Sequence, residues 1–326
     1  MDKTHINQNQ TISFYFRRGY ASQVAVAGTF SQWEQLPMNQ IETGLWYVKT
    51  DPLPPGEYQY KFVVDQEWIN DAANLRIDEE TSNSVISIGL DKGHILHGTF
   101  YSPVLGQDKA YCIYLPPSYP FEIGRYYPTL YLMGGLFDYE LSWVNEGDVV
   151  NIIDGLIKNK QVNEMIIMMP DKDNTCLEGG DGSLYTDYLT KDVIKFCESE
   201  YRSFPKQQYR AIEGLSLGAG WALRLVVQFP HLFSSVSALS GVFPEDVMEE
   251  LEQNRDKIKS LGIRFRFFCG NEEEQLISYL SKTQTWLTSL GIYSEFFTDQ
   301  GIHRWPLWQK GLRYSLIFHN FGFSRA

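Results

Sequence analysis

The sequence predicts an α/β fold, with a mostly parallel sheet covered by helices, preceded by a small all-β, immunoglobulin-like sandwich. The chain has 326 residues, a length that suits about two domains. Short β-type runs separated by turn residues fill residues 11–88, whereas strand-like runs alternate with helical patterns from residue 93 onward. We expect the boundary between residues 88 and 97, which gives a sandwich over 1–90 and an α/β domain over 91–326.

The amino-terminal segment contains five short runs rich in β-branched and aromatic residues. These runs are Ile12–Phe16, Gln23–Ala27, Trp46–Thr50, Tyr58–Val64 and Ser84–Ile88. Turn-forming residues fall between them, at Gly28, Gly44, Pro54-Pro55-Gly56 and Asn70-Asp71. Strands spaced in this way are typical of a small β-sandwich.

The remaining chain alternates apolar runs of strand length with stretches of helical period. The predicted strands are Ala110–Leu115, Thr129–Met133, Glu164–Met169, Arg210–Glu213, Ser235–Ser240, Ile263–Phe268 and Ser294–Phe297. The predicted helices lie near 147–158, 186–202, 217–229, 274–290 and 306–318. Such alternation favours a parallel sheet with helical connections.

The charge balance argues against partners with anionic surfaces. The 28 basic and 40 acidic residues give a formal net charge of −12, so phosphate backbones and anionic lipids are repelled on average. We therefore expect a small-molecule partner, with no nucleic acid and no membrane. The sequence makes no prediction of oligomeric state.

The apolar segments are too short to cross a bilayer, because a spanning helix needs about 18 apolar residues and the longest candidates, such as Met165–Met169, have strand length. Residues 1–10 are polar and lack the pattern of a signal peptide, which predicts a cytoplasmic location. The four cysteines show no CxxC spacing, and Cys112 and Cys269 lie in apolar strand-like runs. We therefore predict neither a disulfide framework nor a zinc site.

The pentapeptide Gly214-Leu215-Ser216-Leu217-Gly218 follows a predicted strand and precedes an apolar helix. G-x-S-x-G in this context is typical of a nucleophile elbow, in which the serine lies on a strained turn and the glycines let strand and helix approach. The helix that follows also directs free N–H groups and its positive dipole end toward a developing oxyanion. The pentapeptide alone is compatible with an ordinary turn, but its context favours a catalytic Ser216.

A serine hydroxyl needs a base to accept its proton. Five of the six histidines fall at the polar start, in the predicted linker, at a helix end or near the carboxyl terminus, where a structural or solvated role is favoured. These are His5, His94, His97, His231 and His319. His303 instead lies in a loop between the last predicted strand and a helix with proline in its first turn, and we predict that it is the base.

The acid that orients the histidine is expected between serine and histidine in chain order, after a late strand. The strand that ends at Cys269 enters a loop with three consecutive glutamates. Two of the three are expected on a solvated face or in the first turn of the following helix, where acids complement the dipole. We favour Glu273 as the triad acid, followed by Glu274 and then Glu272. A Ser–His dyad, with a glutamate that only caps the helix, is the alternative.

Two backbone amides are expected to bind the developing oxyanion. The strand that ends at Met133 is followed by Gly134-Gly135, the position from which one donor comes in this fold. We predict the N–H groups of Leu136 and Leu217 as the pair. The alternative is that the two glycines only turn the chain. This chemistry requires no metal and no organic cofactor.

Residues from about 97 to 322 resemble the putative-esterase family of α/β hydrolases, which includes enterochelin, feruloyl and acetyl-xylan esterases, S-formylglutathione hydrolase and mycolyl acyltransferases. The resemblance rests on segments in family order. They are Tyr114–Tyr119, Pro128–Gly135, Met169–Asp171, Gly214–Gly218, Phe229–Phe233 with Ser240-Gly241, and Gly301–Trp308. In that family the serine, the late acid and the final-loop histidine form the catalytic triad, which implies Ser216, Glu273 and His303 here.

The chain departs from the family pattern beside the predicted site. Met133 stands where histidine is common before Gly-Gly, which removes a polar anchor near the oxyanion loop. Ala219 stands where glycine is common after the elbow and adds a methyl group at the helix start. Glutamate replaces the more usual aspartate, although both carboxylates can accept the histidine N–H. We expect a differently tuned pocket and an intact triad.

The amino-terminal segment resembles a glycogen-binding module of the family-48 type. The matching segments are Val24–Trp33, Leu53–Asp65, Trp68–Asp71 and Asn83. In carbohydrate-binding members, tryptophans stack on sugars while a lysine and an asparagine hydrogen-bond the hydroxyls, and the residues at those positions are Trp33, Trp68, Lys61 and Asn83. The leucine that those members wrap around the sugar is absent, with Glu79 near its place. Glycan binding is one expectation, and docking against the catalytic cleft is the favoured one.

These residues together predict a serine carboxylic-ester hydrolase that acts through an acyl-enzyme on a small, sugar-containing or aromatic ester. The loop Asp173–Asp181 is expected to overhang the site. Acyl transfer to a sugar or another acceptor uses the same intermediate and is the enzymatic alternative. A glycan-binding protein with an inert hydrolase domain is the third possibility, which the ordered serine, acid and histidine disfavour.

Overall fold

A computed structural model describes residues 4–7, 10–78, 80–89, 92–172 and 182–323. The chain divides into two compact units, residues 1–98 with 113–125 and residues 99–112 with 126–326. The first unit is all-β and the second is α/β, which confirms the predicted fold class. The predicted division between residues 90 and 91 stays a prediction.

The described part of the first unit contains nine strands in two antiparallel sheets. The strands are β1 His5–Ile6, β2 Ile12–Arg17, β3 Val24–Gly28, β4 Leu36–Pro37, β5 Asn39–Glu42, β6 Leu45–Lys49, β7 Gly56–Val64, β8 Glu67–Ile69 and β9 Ser84–Ile88. One sheet has the order β1-β2-β6-β5, and the other has the order β4-β3-β7-β8, with β9 also paired to β7.

Alternation along β7 separates a buried face of this sheet from an outer face. Tyr60 and Phe62 point into the core between the sheets, where they pack with Phe14. Since successive strand residues point to opposite faces, Lys61 and Val63 lie on the outer face. Val63 is nevertheless buried there, in a small cluster with Ala25, Ala27 and the partly buried Trp33.

The second unit is built on an eight-stranded sheet. Its strands are β10 His94–Ser102, β11 Gln107–Leu115, β12 Thr129–Met133, β13 Ile166–Pro170, β14 Arg210–Leu215, β15 Ser235–Leu239, β16 Arg264–Gly270 and β17 Ser294–Asp299. They are arranged in the order β10-β11-β13-β12-β14-β15-β16-β17. All neighbours from β13 to β17 pair in parallel, as the alternation of strands and helices predicts.

Eight α-helices lie in the described part of the second unit. They are α1 Ser142–Asn145, α2 Val149–Lys158, α3 Ser183–Asp187, α4 Ile194–Glu200, α5 Leu217–Gln228, α6 Glu245–Ser260, α7 Glu274–Ser289 and α8 Trp305–Phe323. A π-helical stretch, Tyr188–Val193, joins α3 to α4. Among the helices described, none combines the length and apolar character needed to cross a bilayer.

Sequence reasoning missed several elements, which include β1, β4, β5, β8, β10, α1 and α6. Strand β10 contains His94 and His97, so the prediction of a linker at these residues is wrong. Helix α6 was not predicted at all, because Val247, Leu251 and Ile258 are its only buried residues and the rest of its surface is polar. A strand with irregular burial and a helix with a narrow apolar stripe both give weak periodic signals.

Parallel pairing brings the ends of several strands to one edge of the sheet. Strands β12, β14, β16 and β17 all end at this carboxyl edge, where ligands bind in open α/β sheets. The four loops that carry the predicted site residues leave from these ends.

Candidate active site

Ser216 lies on a strained turn between β14 and α5. Its backbone has φ 50° and ψ −117°, a left-handed conformation that costs a non-glycine residue about 1–3 kcal/mol. The Ser216 N–H donates to the carbonyl oxygen of Leu239 at 2.8 Å, which ties the turn to β15. The surrounding sheet therefore holds the hydroxyl at the carboxyl edge.

The flanking glycines allow three segments to meet at this turn. A Cβ atom on Gly214 would lie 2.2 Å from the backbone of Gly218, and a Cβ on Gly218 would lie 2.4 Å from the carbonyl oxygen of Gly134. Both distances are far below van der Waals contact. Strand, helix and the loop after β12 can approach this closely only because no side chain stands at these positions.

His303 lies in the loop between β17 and α8. Its Nε2 is 2.9 Å from the Ser216 hydroxyl oxygen, and its Nδ1 is 2.8 Å from Oε1 of Glu273. The edge of the imidazole meets the Trp308 ring at a centroid distance of 5.0 Å and an angle of 86°. The side chain is 46% exposed, so a reactant can reach it from solvent.

Glu273 is the glutamate of the three that faces the site. Its side chain is 10% exposed, whereas Glu272 and Glu274 are exposed residues. Oε2 of Glu273 accepts the Gly270 N–H at 2.7 Å and the Ser240 hydroxyl at 2.8 Å. The carboxylate makes no hydrogen bond that caps α7, so its role is not that of a helix cap.

The surroundings of Glu273 favour its ionised form. Burial acts to raise the pKa of the carboxyl group, but hydrogen bonds from His303, the Gly270 amide and Ser240 outweigh it and hold the pKa below its ordinary value. A carboxylate is therefore in place to stabilise a positively charged imidazole.

Ser240 is a site residue that sequence reasoning missed. It follows β15 with a φ of 48°, donates to Glu273 and accepts the indole N–H of Trp308 at 3.1 Å. Trp308 in turn packs on His303, so the four side chains form a closed ring of contacts. The signal that could have pointed to Ser240 is the Ser-Gly pair at the end of a predicted strand. Gly241 is required there because a Cβ atom on it would lie 2.2 Å from the Cβ of Ala219.

The loop after β12 is held against the elbow by two polar side chains. Oδ2 of Asp138 accepts the Gly135 N–H at 2.6 Å. The Lys172 ammonium donates to the carbonyl oxygens of Gly135, at 2.7 Å, and of Leu136. These contacts supply polar anchors in a region where the family's histidine is replaced by the buried Met133.

The amides of Leu136 and Leu217 find no acceptor within the described residues. Leu217 is the first residue of α5, where the helix dipole is positive. A Cβ on Gly135 would lie 3.4 Å from the Cβ of Ser216, so the loop borders the serine. Both predicted donors are thus in segments that meet at the hydroxyl.

The residues predicted for carbohydrate share the outer face of the first unit. The rings of Trp33 and Trp68 lie 6.2 Å apart at 48°, and Trp68 is 45% exposed. Lys61 is on the same face, and the Asn83 amide donates to Oε1 of Gln59 at 2.8 Å. Two further predictions, Glu79 and the loop Asp173–Asp181, lie outside the described residues.

Two family models each match one segment of this chain. Residues 102–261 match the family described as "Putative esterase", and residues 11–92 match the "Glycogen recognition site of AMP-activated protein kinase". An endo-1,4-beta-xylanase/feruloyl esterase from Xylanibacter ruminicola is 23% identical over 301 residues, which are 84% of this chain and 40% of that protein. The chain thus spans less than half the length of this relative.

Solved structures of other proteins have a fold similar to that of this chain. A ferulic acid esterase aligns with a TM-score of 0.64 and 25% identity, over 71% of this chain and 99% of that chain. An enterobactin esterase from Shigella flexneri aligns with a TM-score of 0.56 and 15% identity, over 95% of this chain and 93% of that chain. The second likeness extends the shared fold over both units.

Proposed function

We propose that this chain hydrolyses carboxylic esters through Ser216. The match of residues 102–261 to the putative-esterase family supports the proposal, and residues 11–92 match a glycogen-recognition model. The observation that carries the proposal is the series of hydrogen bonds from Ser216 through His303 to Glu273. This series has the geometry by which a base activates a serine hydroxyl and a carboxylate orients the base.

In the first half of the reaction, the Ser216 oxygen attacks the ester carbonyl while Nε2 of His303 accepts the hydroxyl proton. The charge that develops on the carbonyl oxygen is bound by the N–H groups of Leu136 and Leu217. His303 then donates its proton to the departing alkoxide. The products of this half are the free alcohol and an acyl group esterified to Ser216.

In the second half, water attacks the acyl carbon while His303 accepts a proton from it. Collapse of the second tetrahedral intermediate breaks the bond to Ser216, whose oxygen recovers the proton from His303. One ester and one water molecule have then become one acid and one alcohol. Glu273 stays ionised throughout and accepts the Nδ1–H of the imidazolium, in agreement with its lowered pKa.

The test is hydrolysis of p-nitrophenyl acetate by purified variants. Ser216→Ala should lower kcat by about 10⁴-fold or more, because it removes the atom that bonds to the acyl group. Ser260→Ala, at an exposed serine that ends α6, serves as the control and should keep wild-type turnover. Equal turnover by Ser216→Ala and wild type would refute the proposal.

We further propose that the acyl group is aromatic. Phe137 is 92% exposed directly after Leu136, and Ile302 is exposed directly before His303, so apolar surface borders both the oxyanion loop and the base. The similarity to a ferulic acid esterase supports the same acyl class. Phe137→Ala should raise KM for methyl ferulate much more than KM for p-nitrophenyl acetate, and equal effects on both would contradict it.

A second candidate function concerns the first unit. The neighbouring rings of Trp33 and Trp68, with Trp68 half-exposed, support stacking on a glycan. Wild type should co-sediment with glycogen, whereas Trp68→Ala should stay in the supernatant. Failure of the wild type to sediment would leave the unit without a glycan function.

A further inference from the structure

A cavity of about 590 Å³ opens along the last strand of the sheet, between β17 and α8. Its volume lies in the range of small-molecule sites. The residues that line it include two arginines on β16 and several aromatic residues on β17 and α8. The proposed reaction uses none of these side chains.

Arg264 supplies a positive charge that pairs with no carboxylate in the described part of the chain. Its guanidinium carbon lies 4.2 Å from the ring centre of Phe318, 5.0 Å from that of Tyr293 and 5.1 Å from that of Phe321. One N–H donates to the carbonyl oxygen of Phe318 at 3.0 Å. The remaining donors of this planar group are available to a ligand.

Arg266 contributes a buried donor with no acceptor. Its side chain is 7% exposed and forms an ion pair with Glu295. Its Nε is buried and has no hydrogen-bond partner, although burial of a donor without a partner costs free energy. The Phe297 ring lies 4.6 Å from the guanidinium carbon, so this group is also stacked.

The charges of the two arginines affect the pKa of a histidine that is buried near the cavity. Burial lowers the pKa of His319 well below its ordinary value, and the charges of Arg264 and Arg266 lower it further. The lining of the cavity thus carries the two arginines together with the carboxylates of Glu295 and Asp299.

Aromatic rings provide the rest of the surface. Tyr293, Phe297, Tyr314 and Phe321 line the cavity and are each between 46% and 53% exposed. Clustered exposure of large apolar groups is uncommon on soluble proteins and marks a binding surface. Flat rings beside guanidinium groups fit a ligand that is itself flat.

We propose that this cavity binds a planar aromatic carboxylate, with the carboxylate on Arg264 and the ring between Phe297, Tyr314 and Phe321. Guanidinium groups match carboxylates in shape and charge. Glu295 pairs with Arg266, and Asp299, which also lines the cavity, pairs with Lys310 at 3.2 Å. The charge of Arg264 is then the one left for a ligand, and it selects a monoanion over a doubly charged phosphate.

Calorimetry with 2-naphthoate, and with neutral 2-naphthamide as its matched control, tests the site. Wild type should bind naphthoate, and naphthamide at least tenfold more weakly. Arg264→Gln removes the free charge and should weaken naphthoate binding at least tenfold. His303→Ala, which alters the catalytic cleft instead, should leave this binding unchanged. The thermal midpoint of each variant is measured alongside.

Tyr314→Glu is a second probe, because this exposed residue can be changed without disturbing the core and its new charge repels a carboxylate. It should weaken naphthoate binding as Arg264→Gln does. The proposal is overturned if wild type does not bind, if both cavity variants bind like wild type, or if His303→Ala alone abolishes binding. A dimer that Tyr314→Glu converts to monomers would show instead that a second copy of the chain covers the groove.

Discussion

In the described part of the second unit, two sets of one serine, one histidine and one glutamate are joined by hydrogen bonds. The sets share these residue types but differ in burial, charge and access to solvent. In the set at the carboxyl edge, Ser216 and Glu273 flank His303 at 2.9 and 2.8 Å. In the other, the Ser235 oxygen lies 2.7 Å from Nδ1 of His319, and Nε2 of His319 lies 3.3 Å from Oε2 of Glu213.

Burial separates the two sets. His319 and Glu213 are both 0% exposed, and one oxygen of Glu213 has no hydrogen-bond partner. Burial raises the pKa of Glu213 to about 8 and lowers that of His319 well below its ordinary value. At neutral pH both groups of the inner set are therefore mainly uncharged.

The comparison teaches that the three residue types do not by themselves make a catalytic site. The outer set has a carboxylate whose pKa is lowered by its hydrogen bonds, a histidine that solvent can reach, and free amides beside the serine. The inner set has none of these features and joins β14 and β15 to α8 through hydrogen bonds. Environment decides which set can move a proton.

Glu273→Gln should produce the largest effect among changes to the carboxylates. Loss of the negative charge removes the stabilisation of the imidazolium, and kcat/KM for p-nitrophenyl acetate should fall about 10²- to 10⁴-fold. Glu272→Gln, a neighbouring exposed carboxylate, is the matched control and should stay within about twofold of wild type. If Glu272→Gln lowered kcat/KM more than Glu273→Gln did, the assignment of Glu273 as the acid would be wrong.

Ser240→Ala sharpens the comparison at the next level. It removes one hydrogen bond to Glu273 and one from Trp308. If the activation free energy rises by about 1–1.5 kcal/mol, as for the loss of one such bond, kcat falls about tenfold. Because Glu273 loses a donor to its ionised form, the acid limb of the pH–rate profile should also move to higher pH. Ser237→Ala, on the strand that precedes Ser240 and with a hydroxyl that has no partner, should change neither quantity.

Glu213→Gln tests the inner set and should leave turnover within about twofold. The folded protein keeps the Glu213 proton up to a pKa of about 8, while the unfolded chain loses it near the ordinary value of 4.5. The free energy of unfolding of the wild type therefore falls, relative to that of the variant, as pH rises between these values. The variant has no carboxyl group at position 213 that could titrate. Thermal midpoints measured from pH 5 to 9 should show the gap between the two proteins widening in favour of Glu213→Gln, and parallel curves would show that Glu213 is ionised in the fold.

Local patterns were sufficient for the elbow and for most of the sheet. The G-x-S-x-G pattern marks the turn at Ser216, and the parallel strands follow from alternating patterns. Gly214 is required by a contact with Gly218 four positions on, whereas Gly218 is required by the distant Gly134. Glu273 was not separable from its neighbours in sequence, because the direction of a side chain depends on the loop path after β16. The low exposure of the Glu273 side chain, 10%, can be read only from the structure.

The contacts of longer range had no sequence signal. Ser240 and Trp308 are 68 positions apart, and Glu213 and His319 are 106 positions apart. The sequence could group His319 with structural or solvated histidines but could not say that it is fully buried beside a protonated glutamate. Such pairs are fixed by how α8 packs on the sheet.

Covalent labelling compares the two serines directly. A fluorophosphonate reacts with a serine only where a base activates its hydroxyl and donors bind the phosphonyl oxygen. Mass spectrometry of the digested wild-type protein should find one phosphonyl group, on the peptide that contains Ser216, and none on the peptide that contains Ser235. Absence of label at residue 216, or equal label in Ser216→Ala, would contradict the assignment of Ser216 as the nucleophile.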